Sequence, residues 1–179
     1  MFGKLRKNFN LANILVKVFF VLAVVFSTWQ TSLGTLYYAF VGNLASGIMD
    51  GFSGAAKLTI ALLTSAVLGV ILMLVTPLVT NLFLNVSKIY NVPRAEYCLI
   101  VNFFCTVGFF LNGLLNLINL ITPVFMVWGG VIFPFIITLG CFVSFYVTTS
   151  KLYFNDVTKA HYFKCLLIAA LVVLVLEVL

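Results

Sequence analysis

The stretch that decides the fold is residues 58–84, LTIALLTSAVLGVILMLVTPLVTNLFL, which contains no charged residue. Residues 98–121, CLIVNFFCTVGFFLNGLLNLINLI, are uncharged and apolar in the same way. A hydrocarbon layer about 30 Å thick is crossed by about 20 apolar residues in a helix. Across the chain 64% of the residues are hydrophobic and 8% are charged, whereas a soluble domain carries roughly 25% charged residues. The sequence therefore predicts an integral membrane protein built from helices.

Five apolar segments are long enough, or nearly long enough, to cross a bilayer. They are residues 11–38, 58–84, 96–121, 123–149 and 162–179. No remaining stretch is both polar and long enough for a soluble domain, so residues 1–179 are predicted to form a single membrane domain. The expected fold class is all-α: a polytopic membrane helical bundle of about five transmembrane helices. The predicted localisation is integral and multi-pass, in a membrane of unspecified type.

The basic residues predict the orientation of these spans. Nine of the ten Lys and Arg residues fall on one side of a five-span arrangement, and only Lys57 falls on the other. Because short loops rich in Lys and Arg stay in the cytoplasm, the N-terminus is predicted to be cytoplasmic and the C-terminus outside. This distribution accounts for the net charge of +6 without a nucleic-acid partner. On the cytoplasmic side, six cations are predicted to contact lipid head groups: Lys4, Arg6, Lys7, Lys151, Lys159 and Lys164.

The third segment carries amide side chains on one face. Asn102, Asn112, Asn116 and Asn119 lie within an arc of roughly 100° when projected on a helix. An amide in hydrocarbon needs a hydrogen-bond partner, so this face is not expected to meet lipid. Three interpretations stay open: packing against neighbouring helices through amide hydrogen bonds, a hydrated path or binding surface, and a seam to a different protein.

Small residues follow one face of the second segment. Such residues let two helix backbones approach closely, which predicts packing against the Asn face or against an external helix. The residues of this predicted packing face are Ala61, Ser65, Gly69, Thr76 and Thr80.

The fourth segment is predicted to break or kink at Gly129, Gly130 and Pro134, because glycine and proline weaken a helix. Broken helices in transporters expose backbone groups that bind substrates or ions. The simpler alternative is a kink with no ligand. Asp156, which precedes the last segment, is predicted to cap the last helix at its N-terminus.

The residues that carry chemistry do not form a catalytic motif. The chain has one histidine, His161, and its four acids fall in different links or near the end. No HExxH, GxSxG or Walker motif occurs, and the four cysteines form no CxxC pair. We therefore expect no enzyme activity, no cofactor and no metal site.

Three classes of function agree with this pattern. The favoured one is a non-catalytic structural or assembly subunit of a larger membrane complex, with the lipid bilayer and other membrane protein subunits as partners. The second is a small transporter or channel component that uses the Asn-lined third helix and the broken fourth helix. The topology alone, without any motif, resembles that of the Yip1-domain family, which implies a third class, a membrane-shaping or trafficking protein.

Overall fold

The computed structural model describes residues 9–41, 54–121 and 132–178, and every regular element in them is a helix. Four stretches are long and apolar enough to cross a membrane: Phe9–Thr28, Leu58–Val86, Arg94–Ile118 and Ile132–Tyr153. The predicted all-α, multi-pass membrane fold is confirmed, while its orientation stays a prediction. The helices are α1 (Phe9–Val41), α2 (Gly54–Val86), α3 (Arg94–Ile121), α4 (Ile132–Tyr153) and α5 (Asp156–Val178).

The last two helices differ most from the predicted spans. α4 begins at Ile132, and residues 122–131 lie outside the described part of the chain. α5 begins at Asp156 because the Asn155 carbonyl accepts the backbone N–H groups of Thr158 and Lys159, both at 2.9 Å. The Asn155 N–H in turn donates to Thr158 Oγ1 at 3.0 Å, as in a capping box. The cap is therefore Asn155, and the prediction that Asp156 caps this helix was wrong by one residue.

α1 lies against both α2 and α3. A Cβ added to Gly69 would lie 3.3 Å from Val21 Cα, so the backbones of α1 and α2 approach closely at that point. On the other side of α1, Phe20 meets Phe109 of α3 edge to face, with ring centroids 5.9 Å apart. At Gly69 the small-residue face of α2 thus packs on α1, and not on the Asn face of α3.

The connection from α2 to α3 begins with a Schellman motif. Lys88 has a φ of 54°, in the left-handed region. The Ile89 N–H donates to the Leu84 carbonyl at 2.9 Å, and the Lys88 N–H donates to the Asn85 carbonyl at 3.1 Å. Leu84 and Ile89 are both buried, which supplies the hydrophobic contact that accompanies this motif. The motif turns the chain back, so α3 starts beside the end of α2.

Three buried hydroxyl groups, here called the hydroxyl chain, join α3, α4 and α5 at the same end of the bundle. Tyr97 and Tyr162 have their hydroxyl oxygens 3.0 Å apart, and Tyr162 lies 2.7 Å from Thr149 Oγ1. Thr149 Oγ1 in turn donates to the Phe145 carbonyl at 2.8 Å. With Tyr97 donating to Tyr162 and Tyr162 to Thr149, every hydroxyl hydrogen has an acceptor. This satisfied chain fixes the start of α5 against the bundle.

Candidate functional site

The asparagines of α3 do not share one environment. Asn116 faces α1, where its Nδ2 donates to the Ser27 carbonyl at 2.9 Å. On the same face of α3, about one turn before Asn116, Gly113 packs against the Phe26 ring. A Cβ added to Gly113 would lie only 2.3 Å from Phe26 Cδ1. Asn116 is therefore an amide that joins two helices of this chain. Asn119 lies at the end of α3, and its side chain is outside the described part of the structure.

Asn102 lies deep between the helices, with 1% of its surface exposed. Its Nδ2 makes a long contact of 3.8 Å with Cys98 Sγ, and its Oδ1 has no hydrogen-bond partner among the described residues. Cys98 lies beside Thr80 of α2. Two helices, α2 and α3, therefore contribute to this polar cluster. A helical projection does not reveal this cluster, because it compares residues of one helix only.

Asn112 faces the opposite neighbour, α4. It lines an open groove of about 460 Å³ between α3 and α4, here called the α3–α4 groove. The small or polar residues around Asn112 in this groove are Cys105, Gly108, Thr138 and Cys141, while Val101 and phenylalanines complete the lining. The backbones come close here, since a Cβ on Gly108 would lie 3.6 Å from Cys141 Sγ. The groove is thus an apolar surface with a single amide in it.

The side-chain oxygen of Asn112, Oδ1, is buried and has no hydrogen-bond partner among the described residues. Asn112 lies about 27 Å along α3 from Arg94, and about 14 Å before the helix end, at 1.5 Å per residue. This depth places it within the hydrocarbon of a bilayer. A polar group left unpaired in such surroundings costs about 1–3 kcal/mol, so Asn112 occupies an energetically costly position among the described residues.

Aromatic side chains give the α3–α4 groove fixed walls. Phe104 of α3 meets Phe145 of α4 edge to face at 5.9 Å, and Phe145 meets Tyr97 in the same way at 5.6 Å. Tyr97 belongs to the hydroxyl chain. One end of the groove therefore lies next to the hydroxyl chain, and the aromatic contacts hold its walls in place.

The predicted break in the fourth segment falls partly outside the described residues. Gly129 and Gly130 belong to residues 122–131, which are not described. Pro134 lies in the first turn of α4, where its missing N–H has no intrahelical acceptor to lose. From Ile132 to Tyr153 the helix is continuous, so Pro134 does not interrupt α4. In α2, the helix likewise continues through Pro77.

The predicted head-group cations that the structure describes lie at one end of the bundle. Lys151 and Lys164 are exposed, and Lys159 is half-buried. Lys88 and Arg94 lie at the same end, where Arg94 donates to Asn85 Oδ1 at 2.8 Å. The common end agrees with the distribution used to predict orientation. Three cations lie outside the described residues: Lys4, Arg6 and Lys7.

The titratable side chains near this end bind neighbouring segments. His161 Nε2 lies 3.0 Å from the Ser87 carbonyl, which can only accept, so this nitrogen carries the hydrogen. Cys165 Sγ is 3.6 Å from the same nitrogen. Glu96 accepts a hydrogen bond from the Tyr153 hydroxyl at 3.3 Å. Among the described residues, no group of three His, Cys, Asp or Glu side chains could hold a metal ion. These residues tie helix ends together and do not converge on a cavity.

The α3–α4 groove is the candidate functional site, because it is an open surface between two helices and includes Asn112, whose side-chain oxygen has no partner among the described residues. The groove offers aromatic walls, small residues and one amide. Comparison with known protein families, with curated proteins and with solved structures finds no match for this chain.

Proposed function

We propose that this chain is a non-catalytic structural or assembly subunit of a larger membrane complex, and that its α3–α4 groove receives a transmembrane helix of the partner. The observation that carries the proposal is the open α3–α4 groove, whose small residues Cys105, Gly108 and Cys141 leave room for the close approach of another helix.

The surroundings of Asn112 suit a helix. Gly108 and the thiol-bearing Cys105 and Cys141 are small, so a second backbone approaches closely, as at small-residue helix interfaces. α4 supports the same view, because only 6% of its apolar stretch is buried within the chain. Most of α4 is therefore available to a neighbour or to lipid.

The transport alternative has less support. A polar path needs several groups facing one channel, yet Asn116 is bound to the Ser27 carbonyl and Asn102 is enclosed between helices. The α3–α4 groove itself is mainly aromatic and aliphatic. For the membrane-shaping alternative, the exposed Lys151 and Lys164 offer contacts to anionic lipids, but such cations occur in many membrane proteins.

Photocrosslinking in native membranes tests the proposal. A photoreactive amino acid replaces Thr138, which lines the groove, and in a matched variant it replaces Ile136, which is 54% exposed and lies on nearly the opposite face of α4 at a similar depth. We expect the Thr138 probe to give a protein adduct of discrete mass and the Ile136 probe to give lipid adducts. Lipid adducts alone at both positions would contradict the proposal.

A further inference from the structure

We propose that the end of α2 and the start of α5 bind one anionic phospholipid, whose phosphate contacts Lys88 and Lys164 and whose acyl chains lie along the two helices. The surface, here called the α2–α5 crease, consists of these two cations and exposed apolar side chains beside them: Val79, Ile168 and Leu171. The crease shares no residue with the α3–α4 groove, so this inference goes beyond the proposed function and does not depend on it.

A hydrogen bond and a buried cluster hold the two helices together at this end. His161 Nε2 of α5 donates to the carbonyl of Ser87 at 3.0 Å. Leu84 of α2 and Tyr162 of α5 belong to the same buried hydrophobic cluster. Lys88 directly follows Ser87, in the left-handed conformation of the Schellman motif. These contacts therefore fix the position of the Lys88 backbone relative to α5.

The two lysines of the crease have no counter-ion. Lys164 lies about one turn after His161, on nearly the same face of α5. Because the side chains of a helix tilt towards its N-terminus, Lys164 extends back towards the level of Lys88. Both lysines are exposed, and neither ammonium group forms a hydrogen bond or an ion pair within the described part of the chain. Glu96, an acid near this end, accepts a hydrogen bond from Tyr153 instead. The crease therefore offers two unpaired ammonium groups, which bind phosphate oxygens as point charges.

Towards the bilayer centre the crease becomes apolar. Ile168 and Leu171 follow Lys164 by four and seven positions, so the three share one face of α5, and both apolar side chains are exposed. On α2, Phe83 packs against the buried cluster that α2 shares with α5. Val79 lies one turn deeper on the same face and is exposed. A free phosphate ion would leave these side chains uncovered, whereas the acyl chains of a phospholipid cover them.

The charge of the crease selects the headgroup. A zwitterionic lipid carries its own ammonium group beside the phosphate, which offsets part of the attraction to the two lysines. An anionic lipid such as phosphatidylglycerol has no such group, so its phosphate interacts more strongly with both cations. The combination of two unpaired cations with an apolar continuation therefore points to an anionic phospholipid.

Native mass spectrometry of the purified full chain, titrated in detergent with phosphatidylglycerol or phosphatidylcholine, tests the site. We expect one phosphatidylglycerol adduct that forms more tightly than any phosphatidylcholine adduct. Lys88→Gln and Lys164→Gln should each weaken it about 5-fold, which corresponds to about 1 kcal/mol at 1.4 kcal/mol per tenfold change. Lys151→Gln is the matched control, because it removes an exposed cation from the same end of the bundle but on α4, and it should leave the adduct unchanged. Equal binding of the two lipids, or equal weakening by Lys151→Gln, would reveal only the general attraction of a basic surface and would overturn the site.

Two further measurements distinguish other occupants. Inorganic phosphate at the same concentrations should give no adduct, and an adduct as tight as that of phosphatidylglycerol would overturn the role of the acyl chains. A photoreactive amino acid at Ile168 should give lipid adducts in native membranes, whereas a protein adduct of discrete mass would assign the crease to another protein and overturn the inference. Unchanged helical content of each variant by circular dichroism excludes misfolding as the cause of weaker binding. The Thr138 probe reports on the α3–α4 groove alone, so this inference and the proposed function can fail separately.

Discussion

Replacing Tyr162 by Phe tests the hydroxyl chain that holds α5 to the bundle. The substitution removes the 2.7 Å bond to Thr149 and the 3.0 Å bond with Tyr97, while the ring keeps its packing. Thr149 retains the Phe145 carbonyl as its acceptor, but the Tyr97 hydroxyl, on a side chain 2% exposed, loses its partner. A buried group left unpaired costs about 1–3 kcal/mol. We therefore expect Tyr162→Phe to lower the free energy of unfolding by that amount.

Reversible unfolding in mixed micelles with increasing denaturing detergent, followed by circular dichroism, measures this loss. Tyr146→Phe is the matched control, because Tyr146 stacks on Tyr162 at 5.9 Å and its hydroxyl takes part in no hydrogen bond among the described residues. We expect the control to change stability by less than about 0.5 kcal/mol. Adding Tyr97→Phe to Tyr162→Phe removes the orphaned hydroxyl, so the pair should cost less than the sum of the two single changes. Equal losses for Tyr162→Phe and Tyr146→Phe, or strict additivity, would refute the reasoning.

Three more outcomes follow from close contacts and from the charge distribution. Gly69→Ala should destabilise the protein by about 1–3 kcal/mol, because its Cβ would press on the α1 backbone, and Gly140→Ala should be neutral or slightly stabilising in the same unfolding assay. Lys88→Gly should stabilise it by about 0.5–1 kcal/mol, since glycine adopts the left-handed conformation without a steric penalty; a loss of stability would contradict this. In cells, a cysteine placed at Lys151 should react only with thiol reagents that reach the cytoplasm, and one placed at Asp50 only with reagents added outside; labelling from a common side would overturn the predicted topology.

Hydropathy predicted the spans because a helix that crosses the hydrocarbon layer must consist mainly of apolar residues. It did not predict the start of α5, since residues 156–161 are too polar to be counted as a span although they are helical. Hydropathy locates the apolar part of a helix, whereas the first residue of α5 is set by the local hydrogen bonds that Asn155 makes. The same distinction explains why α3 was predicted closely: its apolar run and its helix nearly coincide.

The candidate site was predicted in part. The amide pattern grouped Asn112 with Asn116, but Asn116 donates to the Ser27 carbonyl, whereas the oxygen of Asn112 has no partner among the described residues. A projection gives the direction of a side chain and does not identify the helix that lies there. No sequence pattern predicted the hydroxyl chain. Tyr97 and Tyr162 are separated by 65 positions, and tyrosine is common near membrane surfaces.

The hydrogen bond from Asn116 to Ser27 spans 89 positions of the chain, and this separation bears on biosynthesis. A ribosome delivers α1 to the membrane well before it has made α3. Phe20 and Val24 are buried in the finished protein. Before α3 is made, contact with lipid tails costs these side chains little free energy, because the tails are equally apolar. The carbonyl of Ser27, in contrast, acquires its amide donor only when α3 enters. The packing of α1 on α2 can form earlier, whereas the packing of α1 on α3 has to wait for the synthesis of the third helix.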